Sequence, residues 1–374
     1  MKEGTKILHV LWTGSIGGAQ RAVYQLVQAQ LRSSRFIPSV AFAVPSGHYY
    51  DKIRTLGCEV LSLPLRSDRN PLRAMRVKPA LKHFPVHHFH SAEVTISVAS
   101  ILCRGAVRVY THRGGFASYE GRSRIRYPVM GYFLRNFFHG LSGNTLHACW
   151  AGSTLFGIPQ DRWSVTYNGL DFASLEPKAK AEDLPARFVH NGHPVIGTAA
   201  HIRSWKRIDL LLEACGRLRN KSFSLLILGD GPDRRRLENL THQLGLTDLV
   251  HFAGMKDNVS SYLSLMDIFV LPSMQLESFG NAAVEAMALG KPTIVFEDGG
   301  GLVEHVKDGA SGYVVKSVDE LASRLGELIS NGDLRFSLGA NARSFVRERY
   351  TVEKMVKAYD DLYETAMVNY SGKV

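Results

Sequence analysis

Six short, continuous apolar runs recur through the second half of the chain: VIGTAA from Val195, FSLLILG from Phe223, LVHFAG from Leu249, DIFVLP from Asp267, KPTIVF from Lys291 and SGYVV from Ser311. Each is short for a helix and lacks the alternation of a half-exposed strand, so each reads as a strand buried on both faces. Helical patterns fill the intervals, and strands alternating with helices predict an α/β fold built on a doubly wound parallel sheet. The first half follows the same rule. Ile7 to Trp12 is an apolar strand, GSIGG (14–18) a loop, and Ala22, Val23, Leu26, Val27 and Leu31 the apolar stripe of a helix. Further strands are expected over Ser39 to Val44 and Val107 to Thr111. A chain of 374 residues accommodates two such Rossmann-like domains. VTYNGLD (165–171) closes the first, and LEPKAKAEDLPARFVHNGHP (175–194) has linker composition, which puts the boundary near 170–192.

The most informative stretch is VLPSMQLESFGNAAVEAMALGKPTIVF (270–296). It reads as strand, loop, helix and strand, with the helix starting near Phe279 or Gly280 and stopping at Gly290. Glu277 lies just before the helix and Glu285 about one turn inside it. The unpaired N–H groups of a first turn, here Phe279 to Ala282, favour a phosphate. A carboxylate has two acceptor oxygens and can grip neighbouring sugar hydroxyls. Sugar, diphosphate, sugar is the shape of a nucleotide sugar. Most glutamates are solvated, but the residues flanking Glu285 are nearly all apolar, and a charge in such a helix needs a ligand or a partner.

Several other classes are weighed against this reading. GSIGG has G-x-x-G-G spacing in place of G-x-G-x-x-G, and the second strand runs into Pro45 without an acidic residue for a ribose, which speaks against a dinucleotide-dependent dehydrogenase. Cys58, Cys103, Cys149 and Cys215 are scattered without C-x-x-C spacing, so neither a disulfide framework nor a zinc site is implied, and a reducing cytosol is the simplest compartment. In FPVHHFHS (84–91), strand alternation sends His87 to the opposite face from His88 and His90; with no nearby Asp, Glu or Cys set, a strand end facing the interdomain cleft is favoured over a metal site. MKEGTKILHVLW reads as a first strand rather than a signal peptide, and no run of 18 apolar residues is present to span a membrane.

Charge is distributed unevenly. Residues 1–170 hold 21 Lys and Arg against 7 Asp and Glu, while the remainder holds 24 against 27. The first half is therefore expected to meet something anionic, such as a bilayer surface, a lipid-linked phosphate or nucleic acid, unless its basic surface is simply solvated. Residues 66–82 carry Arg66, Arg69, Arg73, Arg76, Lys78 and Lys82, interrupted by Pro71 and Pro79. RSRIRYPVMGYFLRNFFH (122–139) mixes arginines with aromatic residues, as either a membrane-surface element or a core helix, and the core reading is favoured. No recognisable nucleic-acid module accompanies these residues.

ESFGNAAVE (277–285) resembles the E-x7-E segment of retaining glycosyltransferases of the GT-B fold, the group called family 4 or group 1. GGAQRAVYQL (17–26), THRGG (111–115), YNGLD (167–171), SWKRID (204–209), LGDGP (228–232) and DGASGYVV (308–315) follow the same family in order. The resemblance implies two Rossmann-like domains facing a cleft: 1–170, joined by a C-terminal helix over 351–374, for the acceptor, and 171–350 for the nucleotide sugar. It implies transfer of a hexosyl or N-acetylhexosaminyl group from a UDP- or GDP-sugar to a glycan or lipid-linked acceptor with retention of configuration. The setting would be polysaccharide, lipopolysaccharide or glycolipid synthesis in the cytoplasm or on the inner face of the cell membrane. The nucleotide sugar is a co-substrate and no cofactor is implied.

The family pattern makes His112, Lys206 and Glu277 the catalytic candidates. Donor contacts would come from Gly17, Gly18, Arg203, Lys206, Met255, Ser278, Phe279, Gly280, Asn281 and Glu285. Within that set Glu277 would hold sugar hydroxyls, Glu285 the ribose diol, and Met255 would lie near the base. The family has arginine five residues before its lysine, but this chain has His201 there, and Arg203 is a substitute clamp. No D-x-D motif occurs, so protein cations are expected to take the place of a metal ion on the phosphates. The alternatives are an epimerase or phosphorylase of the same fold, or a basic nucleic-acid-binding protein.

Overall fold

A computed structural model of the chain describes residues 4–63, 65, 71–115, 123–176, 181, 184–185, 188 and 192–371, with only the backbone of 71 and 123–125. Arg66, Arg69, Arg122 and much of the 175–194 linker lie outside the described residues. The chain divides into two units, residues 1–170 with 350–374, and 171–349.

The first unit runs β1 (Lys6–Thr13), α1 (Gly18–Ser33), β2 (Ile37–Val44), α2 (His48–Arg54), β3 (Glu59–Ser62), α3 (Ala74–Leu81), β4 (Val86–Phe89), α4 (Val94–Ile101), β5 (Val107–His112), α5 (Ser123–Phe137), β6 (Gly140–Gly143), α6 (Leu146–Phe156) and β7 (Trp163–Val165). Its sheet has the order β3-β2-β1-β4-β5-β6-β7, with every ladder parallel. Strands added leftward from β1 and rightward from β4 send their right-handed crossovers to opposite faces. Hence α3, α4, α5 and α6 bury Val77, Ile96, Met130, Leu134 and Phe156 in one core with Leu8, Val10 and Tyr110.

The second unit continues with β8 (Val195–Ala199), α7 (Ile208–Gly216), β9 (Ser224–Leu228), α8 (Arg234–Gln243), β10 (Val250–Gly254), α9 (Val259–Leu265), β11 (Ile268–Leu271), α10 (Asn281–Ala288), β12 (Thr293–Phe296), β13 (Gly312–Val315), α11 (Val318–Ser330) and α12 (Gly332–Arg349). Its parallel order is β10-β9-β8-β11-β12-β13. β8, β9, β11 and β12 are buried at every residue, as continuous apolar runs between two helical layers should be.

The last helix, α13 (Val352–Ser371), belongs to the first unit. It buries Met355, Tyr359, Tyr363 and Ala366 against Ile7 and Leu26 and against Val107 and Val109 of β5. Among the described residues, no helix is long and apolar enough to cross a membrane.

The histidine strand departs from expectation. His87, His88 and His90 do alternate as a strand requires, but in place of a strand end facing a cleft all three are buried, with their ring nitrogens bonded within the first unit. His87 bonds the Ser100 hydroxyl and the Leu81 carbonyl on one face, while His88 and His90 meet His9 and α13 on the other. Segment 122–139 follows the favoured core reading: Met130, Leu134 and Phe138 are in the core with Tyr127, Phe133 and Phe137 packed against it, while Val129 and Tyr132 on the outer side of α5 are exposed.

Candidate functional site

A parallel sheet whose strand order reverses opens a crevice at the carboxyl ends of the two strands flanking the reversal, and ligands bind there. In the second unit those strands are β8 and β11, and the loops leaving them carry Lys206 and Glu277. Lys206 sits in a 3-10 turn over Ser204–Lys206, with its ammonium lying 4.2 Å from the centre of the Trp205 ring. It forms an ion pair with Glu277, and both side chains are about nine-tenths buried, at 11% and 12% exposure. Ser273 donates its hydroxyl to the same carboxylate oxygen at 3.3 Å. The pair thus joins two loops that lie about 70 residues apart in sequence.

The Glu277 loop is braced from three sides. Met274 N–H donates to the Trp205 carbonyl at 3.0 Å, Gly301 N–H to the Glu277 carbonyl at 3.0 Å, and His305 Nε2–H to the Phe279 carbonyl at 2.8 Å. α10 then begins at Asn281, with Gly280 as its N-cap at φ +69°. A side chain at Gly280 would be strained in that conformation and would collide with Leu302, so glycine is required here. Ser278 and Phe279 are buried and Asn281 is half-buried. Glu285, one turn into the helix, is only 3% exposed.

Arg207, absent from the sequence-derived candidates, holds the crevice loops together. Among the described residues it is the non-glycine residue with positive φ, at +48°. Its guanidinium donates to the Pro272 carbonyl at 2.8 Å, the Ser273 carbonyl at 3.2 Å, and both oxygens of Asp298 at 2.8 and 2.5 Å. One side chain therefore ties the loop after β8 to the loops after β11 and β12.

The remaining candidates are less closely gathered. Arg203 and His201 are both exposed on the loop after β8. Gly229 of LGDGP supports that loop from below: at φ +123° a Cβ there would strike the Ala200 carbonyl. Met255 follows β10 with an exposed side chain, and no hydrogen bond or ion pair described joins it to Lys206 or Glu277. Gly17 and Gly18 belong to the first unit, as the N-cap and first residue of α1.

His112 also belongs to the first unit, at the carboxyl end of β5. Burial lowers its pKa to about 4, so the ring is neutral. Its Nδ1 meets the Tyr110 hydroxyl at 3.0 Å, and Phe156 and Trp163 pack edge-on against the ring. Burial pushes the Tyr110 phenol up, keeping it protonated. With the phenol as donor, the imidazole proton sits on Nε2, a buried atom with no hydrogen-bond partner among the described residues.

Behind His112, the reversal point of the first unit is filled by a polar chain. Arg113 Nε–H donates to His90 Nδ1 at 3.2 Å, His90 Nε2 lies 2.9 Å from His9 Nδ1, and His9 Nε2 lies 2.8 Å from Gln30 Oε1. The Gln30 carbonyl accepts, so His9 carries its proton on Nε2 and His90 on Nε2, giving one consistent direction from Arg113 to Gln30. His88 bonds Tyr363 at 2.8 Å and Thr111 at 2.7 Å, and Arg113 also reaches Asn168 and Tyr359. His9, His88 and His90 have the spacing of metal ligands. All six of their ring nitrogens are already engaged, however, and Arg113 adds a cation beside them. The cluster is a hydrogen-bonded brace for α13. His9 was missed because a lone histidine in an apolar strand carries no signal in sequence.

Two parallel-sheet Rossmann-like units define the GT-B class of glycosyltransferase architecture. Anabaena Alr3699/HepE, solved in complex with UDP and glucose, superposes with a TM-score of 0.82 at 19% identity, covering 96% of this chain and 99% of that one. The family model for glycosyl transferases group 1 matches residues 180–345. The putative colanic acid biosynthesis glycosyltransferase WcaL of Salmonella typhimurium is 30% identical over 296 residues, 75% of this chain and 70% of its own length. The putative glycosyltransferase EpsF of Bacillus subtilis is 27% identical over 360 residues, 92% and 91% of the two chains. The chain belongs to the group 1 family of glycosyl transferases.

Proposed function

We propose that the protein is a retaining, family 4 glycosyltransferase that moves a hexosyl or N-acetylhexosaminyl group from a UDP- or GDP-sugar to a glycan or lipid-linked acceptor at the inner face of the cell membrane, in synthesis of a surface polysaccharide or lipopolysaccharide. The observation that carries this reading is the buried Lys206–Glu277 pair at the reversal point of the second unit, on the loop that leads into α10, whose Glu285 is buried one turn in. The complexes of the Anabaena neighbour with UDP and with UDP-glucose, and the relatives of colanic acid and lipopolysaccharide core synthesis, support the choice of donor and pathway.

In this reading the second unit holds the donor and the first the acceptor. On donor binding Lys206 exchanges Glu277 for the diphosphate, joined by Arg203 and the dipole of α10. Glu277 is then released to sugar hydroxyls, and Glu285 takes the ribose diol. The sugar C1–O bond to the diphosphate breaks and the acceptor oxygen bonds C1 on the same face. The acceptor proton passes to the departing phosphate oxygen. His112 Nε2–H donates to a hydroxyl of the transferred sugar. No protein nucleophile and no metal ion takes part.

The direct test supplies purified protein with radiolabelled UDP-, GDP- and ADP-sugars, ranks them by thermal shift, and follows the label. Label on a second molecule, with activity unchanged in EDTA, is expected. Label in an isomer or a free sugar phosphate contradicts transfer, and activity lost to EDTA and restored by magnesium contradicts the metal-free mechanism.

A further inference from the structure

We infer that the outer face of the α3–α6 layer in the first unit is a docking surface for an anionic phospholipid bilayer. Residues 71–157 contain 11 Lys and Arg but only Glu93 and Glu120 as acids. Glu120 lies outside the described residues, and Glu93 is buried and paired with Arg126. None of α3, α4, α5 and α6 holds a single Asp or Glu. The helices on the opposite face of the same sheet do, with Asp51 on α2 and Glu353, Asp361 and Glu364 on α13. The cations of this layer lie on α3 (Arg76, Lys78) and α5 (Arg124, Arg126, Arg135), with Lys82 just beyond α3, and none of the four helices carries an acidic residue to neutralise them.

Charge alone would suit any polyanion. What selects a bilayer is the apolar surface beside it. α4 is buried or half-buried along its whole length, and α3, α5 and α6 each bury one stripe in the sheet core, yet the outward stripes of these three carry Met75 at 62% exposure, Trp150 at 60%, and exposed Val129, Tyr132 and Leu146. Exposed Arg76, Lys82 and Arg135 lie on or beside the same helices. Basic side chains with aliphatic and aromatic residues between them match a headgroup region, where cations meet lipid phosphates and apolar tips enter the acyl boundary. Flexible aliphatic residues such as Met75 and Val129 gain nothing from a nucleic acid, whose single strands are held by stacking and whose duplexes by phosphate contacts. The inference rests on the membrane setting proposed above and is independent of the donor chemistry, so a failed vesicle test leaves sugar transfer standing.

The test uses the full chain without substrates, mixed with sucrose-loaded vesicles of phosphatidylcholine alone or with phosphatidylglycerol. Partition onto the anionic vesicles at least tenfold above neutral ones is expected, reversed by 0.5 M NaCl. Met75→Glu with Tyr132→Glu should cut that partition about tenfold while leaving the thermal midpoint and turnover on a water-soluble acceptor unchanged. Trp150→Phe should abolish the part of the fluorescence quenching by brominated lipid that arises at this face. Equal sedimentation with both vesicle types, or no effect of the paired replacement, overturns the inference. Salt-sensitive binding to a single-stranded oligonucleotide without vesicle partition assigns the face to nucleic acid instead.

Discussion

At the scale of single residues, the case turns on side chains whose burial is out of keeping with their polarity. Glu285 is the clearest: at 3% exposure a carboxylate has no solvation to lose on binding a diol, and its amide cannot replace its acceptor pair. Glu285→Gln is nearly isosteric, so the thermal midpoint should stay within about 3 °C while kcat/KM for the donor falls at least about 100-fold, roughly 3 kcal/mol of transition-state stabilisation. Near-normal turnover would remove Glu285 from the site. Tyr110→Phe tests the neighbouring unit. It deletes only the hydrogen bond to His112 Nδ1, about 1 kcal/mol of stability. It also frees the imidazole proton to move off Nε2, so kcat should drop about tenfold with donor KM unchanged. A loss in KM alone would point to packing. Glu277, Glu285, Lys206 and His112 were legible in sequence because a motif spacing surrounds each. Tyr110, Arg207 and His9 were not, because what distinguishes them is a partner far away in the chain.

At the scale of elements, the strands were the easiest to read. Continuous apolar runs of five or so residues have few ways to be buried except between two layers of helices, and β8, β9, β11 and β12 all follow that rule. α3 was harder. Pro79 suggests a break and does remove one donor from the helix, yet it sits on the exposed face and α3 continues through Leu81, where Lys82 N–H closes the end on the Lys78 carbonyl at 3.1 Å. Loops are the least legible, since their geometry comes from tertiary clasps such as that of Arg207. A non-glycine residue in the left-handed region costs about 1–2 kcal/mol, and the half-exposed Asp298 pair returns about 1 kcal/mol at most. The strain therefore persists for what the side chain positions. Arg207→Gly keeps the backbone conformation and deletes the clasp. Overall stability should change by less than about 1 kcal/mol while donor KM rises about tenfold, and Asp298→Ala should add little to it in a double-mutant cycle. Unchanged KM would show that the loops after β8, β11 and β12 hold their places without Arg207.

At the scale of the whole molecule, the first unit carries the net charge and a large share of the buried imidazoles, and the two together set a pH limit. Burial lowers His9, His87 and His112 to about 4 and, in the second unit, His305 to about 3, all from 6.5, with His88 and His90 also well below it. A histidine depressed in the folded state binds its proton more readily once unfolded. Its contribution is fully present above about pH 6.5 and is withdrawn as pH falls toward the folded value. His9, His87, His112 and His305 each remove on the order of 3 kcal/mol by pH 4, which several together turn into loss of the fold, since a domain of this size is stable by only about 5–15 kcal/mol. The thermal midpoint should therefore be flat from pH 7 to 8.5 and fall steeply between pH 6.5 and 4. His87→Gln offers a check, since its ring bonds the Ser100 hydroxyl and the Leu81 carbonyl and the amide can serve both. The replacement should lower stability at pH 8 by about 1–2 kcal/mol but flatten the acid slope by up to one proton, about 1.4 kcal/mol per pH unit. A slope that is the same in both proteins would mean that His87 is already protonated in the folded chain, and that carboxylates set the acid limit in its place.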